Sequence, residues 1–222
     1  MNVPRIAVIH TSPATVDLFG RLLRERLPGA DVFNILDDSI LPQLRDNGGD
    51  VSAVVPRWRD YARNAQALGA DVILNACSSI GELCEPVSRE LGATIVRVDA
   101  RMAHEAIARG GRVAVIATLT TTLRPTCALI TETARREGRK VEVIASLVEG
   151  AYAALIAGDQ AGHDERLVSA LREACTAADA VVLAQASMAR VLPRLDDAAR
   201  AKCLVSPPLA VDDVVGRLAA TR

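Results

Sequence analysis

The sequence predicts an α/β protein of two pseudo-symmetric lobes, each a parallel sheet flanked by helices, with a cleft between them. Three observations carry this. Short apolar runs without alternation, such as Val72-Ile73-Leu74, are the pattern of parallel strands buried on both faces. Helical stretches alternate with these runs along the whole chain. The pattern also occurs twice. Asp71-Val-Ile-Leu-Asn-Ala-Cys77-Ser78-Ser79 is matched 108 residues later by Asp179-Ala-Val-Val-Leu-Ala-Gln185-Ala-Ser187. Arg5-Ile-Ala-Val-Ile-His10 is matched 107 residues later by Arg112-Val-Ala-Val-Ile-Ala117. A repeat this long, present only twice, indicates two similar βα domains rather than a solenoid. The expected lobes are 1–99 with 207–222, and 100–206. In this alignment Cys77 falls opposite Gln185, and Ser79 opposite Ser187.

The elements follow in order. Ile6 to Ile9 is a first strand ending at His10-Thr11-Ser12, and Pro13 suits the first position of a helix to about Leu27, closed by Pro28-Gly29. Val32 to Leu36 is a second strand with Asp37-Asp38-Ser39 as its polar exit, and Asn47-Gly48-Gly49-Asp50 is a loop. A helix from about Pro56 to Leu68 carries Trp58 and Tyr61 on one face, a pair that either packs in the core or anchors a homodimer. After the Cys77 strand, Ser78 and Ser79 are read as N-cap residues of a helix beginning near Gly81, with Glu82 to Leu91 helical. Thr94 to Val98 is a strand, and Asp99 caps a connecting helix through Arg109.

The second half repeats the plan. Val113 to Ile116 leads into the hydroxyl-rich Thr118–Thr122 turn and a helix to about Glu137, and Val141 to Ala145 is a strand. Asp164 to Ala178 is helical, followed by the Gln185 strand and a short helix from about Met188. Cys203-Leu204-Val205 is a brief strand, and Ser206-Pro207-Pro208 opens a C-terminal helix that packs back on the body.

Composition excludes several functions. A net charge of −1 leaves no electrostatic footprint for nucleic acid or an anionic membrane, and 2% aromatic residues leave no base-stacking platform. No apolar run approaches membrane-spanning length, and the chain enters a strand almost at once, without room for a signal peptide. Five cysteines without paired spacing predict reduced thiols in the cytoplasm. No His/Cys cluster has zinc spacing, so no metal is expected.

The candidate chemistry lies at the strand ends. His10, Thr11, Ser12, Asn75, Ser78, Ser79, Thr118 and Ser187 fall at or beside predicted strand-to-helix turns, where backbone N–H groups and hydroxyls favour anions. No Lys or Arg stands in these turns and no glycine-rich loop is present, which suits a small carboxylate better than a phosphate. Cys77, at the carboxyl end of a central strand and before a helix, is expected to have a lowered pKa.

Two lobes, Asn75-Ala76-Cys77-Ser78-Ser79 in the first and Leu183-Ala184-Gln185-Ala186-Ser187-Met188 in the second make the chain resemble the aspartate/glutamate/hydantoin racemase superfamily. The resemblance spans nearly the whole chain. It implies a cofactor-independent enzyme acting beside a carboxylate, in which two facing cysteines each serve one face of a carbon. Here the second cysteine is replaced by Gln185, which is neither acid nor base. Cys77 and Gln185 are then the expected catalytic pair, the latter as a hydrogen-bond donor to a substrate oxygen. The resemblance implies an isomerase like the Asp/Glu racemases. It leaves open a single-cysteine decarboxylase or cis-trans isomerase, and a non-catalytic carboxylate-binding protein. A homodimer or higher homo-oligomer is expected.

Overall fold

The computed structural model describes residues 3–220, so residues 1–2 and 221–222 of the expected first lobe lie outside the described residues. In chain order the elements are β1 (Arg5–His10), α1 (Val16–Arg26), β2 (Asp31–Leu36), α2 (Ile40–Asp46), α3 (Val55–Ala67), β3 (Val72–Asn75), α4 (Cys84–Leu91) and β4 (Ile95–Arg97). They continue with α5 (Ala100–Arg109), β5 (Arg112–Ala117), α6 (Thr120–Arg136), β6 (Glu142–Leu147), α7 (Ala151–Ile156), α8 (Gln160–Ala177) and β7 (Ala180–Leu183). Last come α9 (Asp197–Lys202), β8 (Cys203–Val205) and α10 (Ser206–Ala220). Short 3-10 turns cover Pro13–Thr15, Ser78–Leu83 and Ala186–Arg194. The chain divides into two compact units, Met1–Ala100 with Pro207–Arg222, and Arg101–Ser206.

Each unit holds a four-stranded, all-parallel sheet, ordered β2-β1-β3-β4 in the first and β6-β5-β7-β8 in the second. The order is the same because the strands repeat in the same sequence. In the first unit both faces of the sheet are covered. Ile6, Val8, Val72 and Leu74 pack with Phe19 and Leu23 of α1 and with Val211 and Val214 of α10. Ala7, Ile9 and Ile73 point to the other face, against Ile40, Trp58, Ala62 and Val87. Burial on both faces is why β1 and β3 read as unbroken apolar runs. It also explains why the chain returns: α10 supplies the second cover that α1 alone leaves incomplete. In the second unit Ala114, Ile116, Val181 and Leu183 pack on Leu167 and Leu171 of α8 and on Met188 and Val191.

The structure departs from the sequence reading in three places. α2, α7 and α9 were not expected; with seven, six and six residues they are too short to show a readable period. Ser78 and Ser79 do not cap an α-helix. They open a 3-10 turn whose cap position is Cys77, and α4 begins only at Cys84, with Pro86 in its first turn. Trp58 is fully buried in the core of its own unit, and the Tyr61 hydroxyl donates to Asp37 Oδ2 at 2.9 Å. Of the two expected alternatives, Trp58 is therefore core packing, while Tyr61 is partly buried beside Asp37. Among the described residues no helix is long and apolar enough to cross a membrane.

Trp58→Ala should lower the unfolding free energy by about 3–5 kcal/mol in urea titration, because it empties a sealed site. Its mass in solution scattering should equal the wild type's, since no subunit contact is lost.

Candidate functional site

Each unit carries a candidate corner where its central strand ends. Ala76 N–H donates to Ile9 C=O at 2.9 Å, and Ala184 N–H to Ile116 C=O at 3.0 Å; these are the last rungs before each chain leaves its ladder. The next residue is Cys77 in one unit and Gln185 in the other, both extended, at φ −132°, ψ 115° and φ −125°, ψ 132°. Each then caps a 3-10 turn. The alignment of Cys77 with Gln185 read from the repeat is thus a geometric equivalence.

In the first unit Cys77 is buried, with 8% of its surface exposed. The Thr11 hydroxyl, the Ser79 hydroxyl and the backbone N–H groups of Ser79 and Ile80 are the donors around its sulfur, and each of these favours the thiolate. Burial outweighs them and pushes the thiol above its ordinary value. The lowered pKa expected from the sequence is thereby corrected: the turn supplies the expected donors, but the sulfur has also lost its water. Asn75, wholly buried, donates through Nδ2 to the Cys77 carbonyl at 2.8 Å and holds the backbone on which the thiol stands.

The remaining first-unit candidates gather elsewhere. His10 is buried, with Nε2 2.9 Å from Asn34 Oδ1 and Nδ1 2.8 Å from Thr15 Oγ1, whose single proton is shared between Nδ1 and the Ser12 carbonyl 2.9 Å away. Asn34 Oδ1 can only accept, so Nε2 carries the proton. Burial holds the His10 pKa below its ordinary value, and both ring nitrogens are already engaged. Ser12 is half-buried and Ser78 begins the 3-10 turn.

In the second unit Thr118, the counterpart of Thr11, binds Gln185. Its N–H lies 2.7 Å and its hydroxyl 2.9 Å from Gln185 Oε1. A backbone N–H can only donate, so the amide oxygen must face Thr118, and the two N–H groups of Nε2 are left to donate elsewhere. Ser187 is exposed on the following turn.

One residue escaped the sequence reading. Arg97, at the end of β4 and in register with Asn75, reaches the Cys77 turn and is only 14% exposed. Its Nε and Nη2 lie 2.6 and 3.2 Å from the two carboxylate oxygens of Asp99, itself 1% exposed. The signal was there in Arg97-Val-Asp99, two charges alternating out of an apolar strand. Cys84 is also close by, and burial pushes its thiol up to about 12.

A family model for Asp/Glu/hydantoin racemases matches residues 6–214. The chain belongs to that family. No curated protein matches it in sequence. Among solved structures this racemase-family chain is similar to a glutamate racemase isoform from Bacillus anthracis, at 14% identity and TM-score 0.75, over 98% of this chain and 82% of that one. It is also similar to glutamate racemase from Francisella tularensis in complex with D-glutamate, at 16% identity and TM-score 0.73, over 99% and 82%. Allantoin racemase from Klebsiella pneumoniae matches at 21% identity and TM-score 0.64, over 98% and 89%. At these identities the likenesses show a shared fold.

Two outcomes follow from the buried groups. His10 has a folded pKa below the ordinary 6.5, so its contribution to stability is fully present above that value and is lost as pH falls through it. Urea midpoints should decline from pH 7 to pH 5, and His10→Gln should flatten part of that slope. In native alkylation at pH 8, Cys84 and Cys203, both pushed up to about 12, should stay unmodified while the half-exposed Cys127 reacts.

Proposed function

We propose that this racemase-family chain is a cofactor-independent enzyme acting at a carbon next to a carboxylate, with Cys77 as its working thiol. The observation that carries the reading is the set of four donors on the Cys77 sulfur at the end of the central strand. A buried cysteine that served only as packing needs no such company. These donors stabilise a thiolate when one forms, while burial keeps the resting group a thiol. Cys77 is then an acid at rest and a base once it has given up its proton. That is the cycle of a residue that exchanges a proton with an enolate.

The substrate class is a small amino or carboxylic acid. Gln185, its oxygen held by Thr118, offers the N–H groups of Nε2 to a carboxylate or enolate oxygen. In the isomerase reading Cys77 serves one face of the carbon, and a group other than Gln185 serves the opposite face. A second reading is favoured by the resting thiol: protonation of the enolate left when a carboxylate departs as carbon dioxide. The C–C electron pair moves into the enolate, the carbon takes the Cys77 proton, and water restores the thiol. Arylmalonate decarboxylase has a similar fold, at 19% identity and TM-score 0.64 over 99% of this chain and 95% of that one.

A panel of amino acids, dicarboxylates and arylmalonates in deuterium oxide, followed by proton NMR and chiral chromatography, tests both. Deuterium should enter the α-carbon, and Cys77→Ala should abolish its entry, a loss of at least about a thousandfold for a group that moves the proton. Gln185→Ala should cost about 10²–10³ in turnover as a lost oxyanion donor. Full turnover in Cys77→Ala would sink the proposal. Ligand binding without exchange would instead identify a carboxylate-binding protein.

A further inference from the structure

Gly81 lies in the 3-10 turn that follows Cys77, and a methyl group placed there would stand 2.3 Å from Arg97 Nε and 2.6 Å from its Cζ. The guanidinium therefore lies directly against the glycine, at a distance no other residue allows. Two features put it there. β4 pairs Arg97 with Asn75, two residues before Cys77, and Asp99 grips Nε and Nη2 together. A two-point grip fixes the plane of the guanidinium as well as its place. With its charge matched by Asp99, Arg97 is no open receptor for an anion. What it contributes is position.

The turn needs such support. Ile80, between Ser79 and Gly81, leaves helical geometry at φ −117°, ψ 15°, so the turn is not a regular hydrogen-bonded helix that would aim its own amides. Yet the N–H groups of Ser79 and Ile80 are two of the four donors on the Cys77 sulfur. We propose that Arg97 is a positioning residue for Cys77: gripped by Asp99, it braces Gly81 and so holds the Ser79 and Ile80 amides on the thiolate. The inference rests on Cys77 being the working thiol. The charged and titratable groups around this corner are Cys77, Cys84, Glu82, Arg97 and Asp99.

The test is alkylation of the full chain with iodoacetamide from pH 7 to pH 10, read by mass spectrometry. Cys127, in α6 of the other unit, serves as the internal reference. Arg97→Met, Arg97→Lys and Gly81→Ala should each cut the Cys77-to-Cys127 rate ratio at pH 8 about tenfold, moving the Cys77 midpoint up by about one unit. Arg97→Lys should be as poor as Arg97→Met, because an ammonium keeps the charge but not the two-point grip. Gly81→Ala should give the same loss with both charges still present. A wild-type ratio in Arg97→Lys would mean that charge alone acts, and an unchanged or raised ratio in folded Gly81→Ala would mean that the brace does nothing; either overturns the proposal. A variant that fails to fold betrays itself by labelling at Cys84 and Cys203. Hydrogen exchange of the wild type then decides, since slow exchange at the Ser79 and Ile80 amides supports a braced turn and free exchange overturns it. None of these readings needs a substrate, so they judge the brace separately from turnover.

Discussion

Everything at the candidate site depends on how a buried parallel strand ends. As long as β3 stays in its ladder, each backbone group is satisfied by β1 or β4. After the Ala76 rung the chain must find new partners without water. It does so by turning at once into a 3-10 turn, whose first N–H groups lie outside the turn's own hydrogen bonding. Cys77 sits on that corner, so its sulfur meets those groups. A polar group in the interior is costly unless it finds a partner; here Thr11 and Ser79 face the sulfur and Asn75 Nδ2 holds the Cys77 carbonyl, while Asn75 Oδ1 stays buried without a partner among the described residues.

The same corner is built twice with different chemistry. Thr11 and Thr118 follow the first strand of each unit, and each bonds the residue that ends the third strand. In one unit that residue is a titratable thiol, in the other a neutral amide. The amide costs little to bury once Thr118 binds its oxygen, because no charge must form there at any stage. The fold thus preserves the position while placing a group that cannot titrate at the second corner.

Arg97 and Asp99 show how the surroundings of such a corner are stabilised. Burying an ion pair repays its desolvation only when the geometry is good, and breaking one is far more damaging than never having it. Their two-point contact meets that condition. Its cost is also a reason for expecting a role: an apolar pair would fill the same space, but would not hold a glycine turn by a fixed plane.

The sequence by itself determined the fold class, the repeat and the equivalence of Cys77 with Gln185, because strand periodicity and an internal match are local, linear signals. It also placed Thr11, Asn75, Ser79 and Thr118 at strand ends. Only the tertiary structure decided which of them meet. His10 stands beside Thr11 in the chain yet bonds Thr15 and Asn34, since successive residues at a strand end face opposite sides of the sheet. The direction of the Cys77 shift needed burial as well as neighbours, and burial is a property of the packed molecule. Arg97-Val-Asp99 shows two charges in the sequence, but only the register of β4 on β3 brings residue 97 beside residue 75.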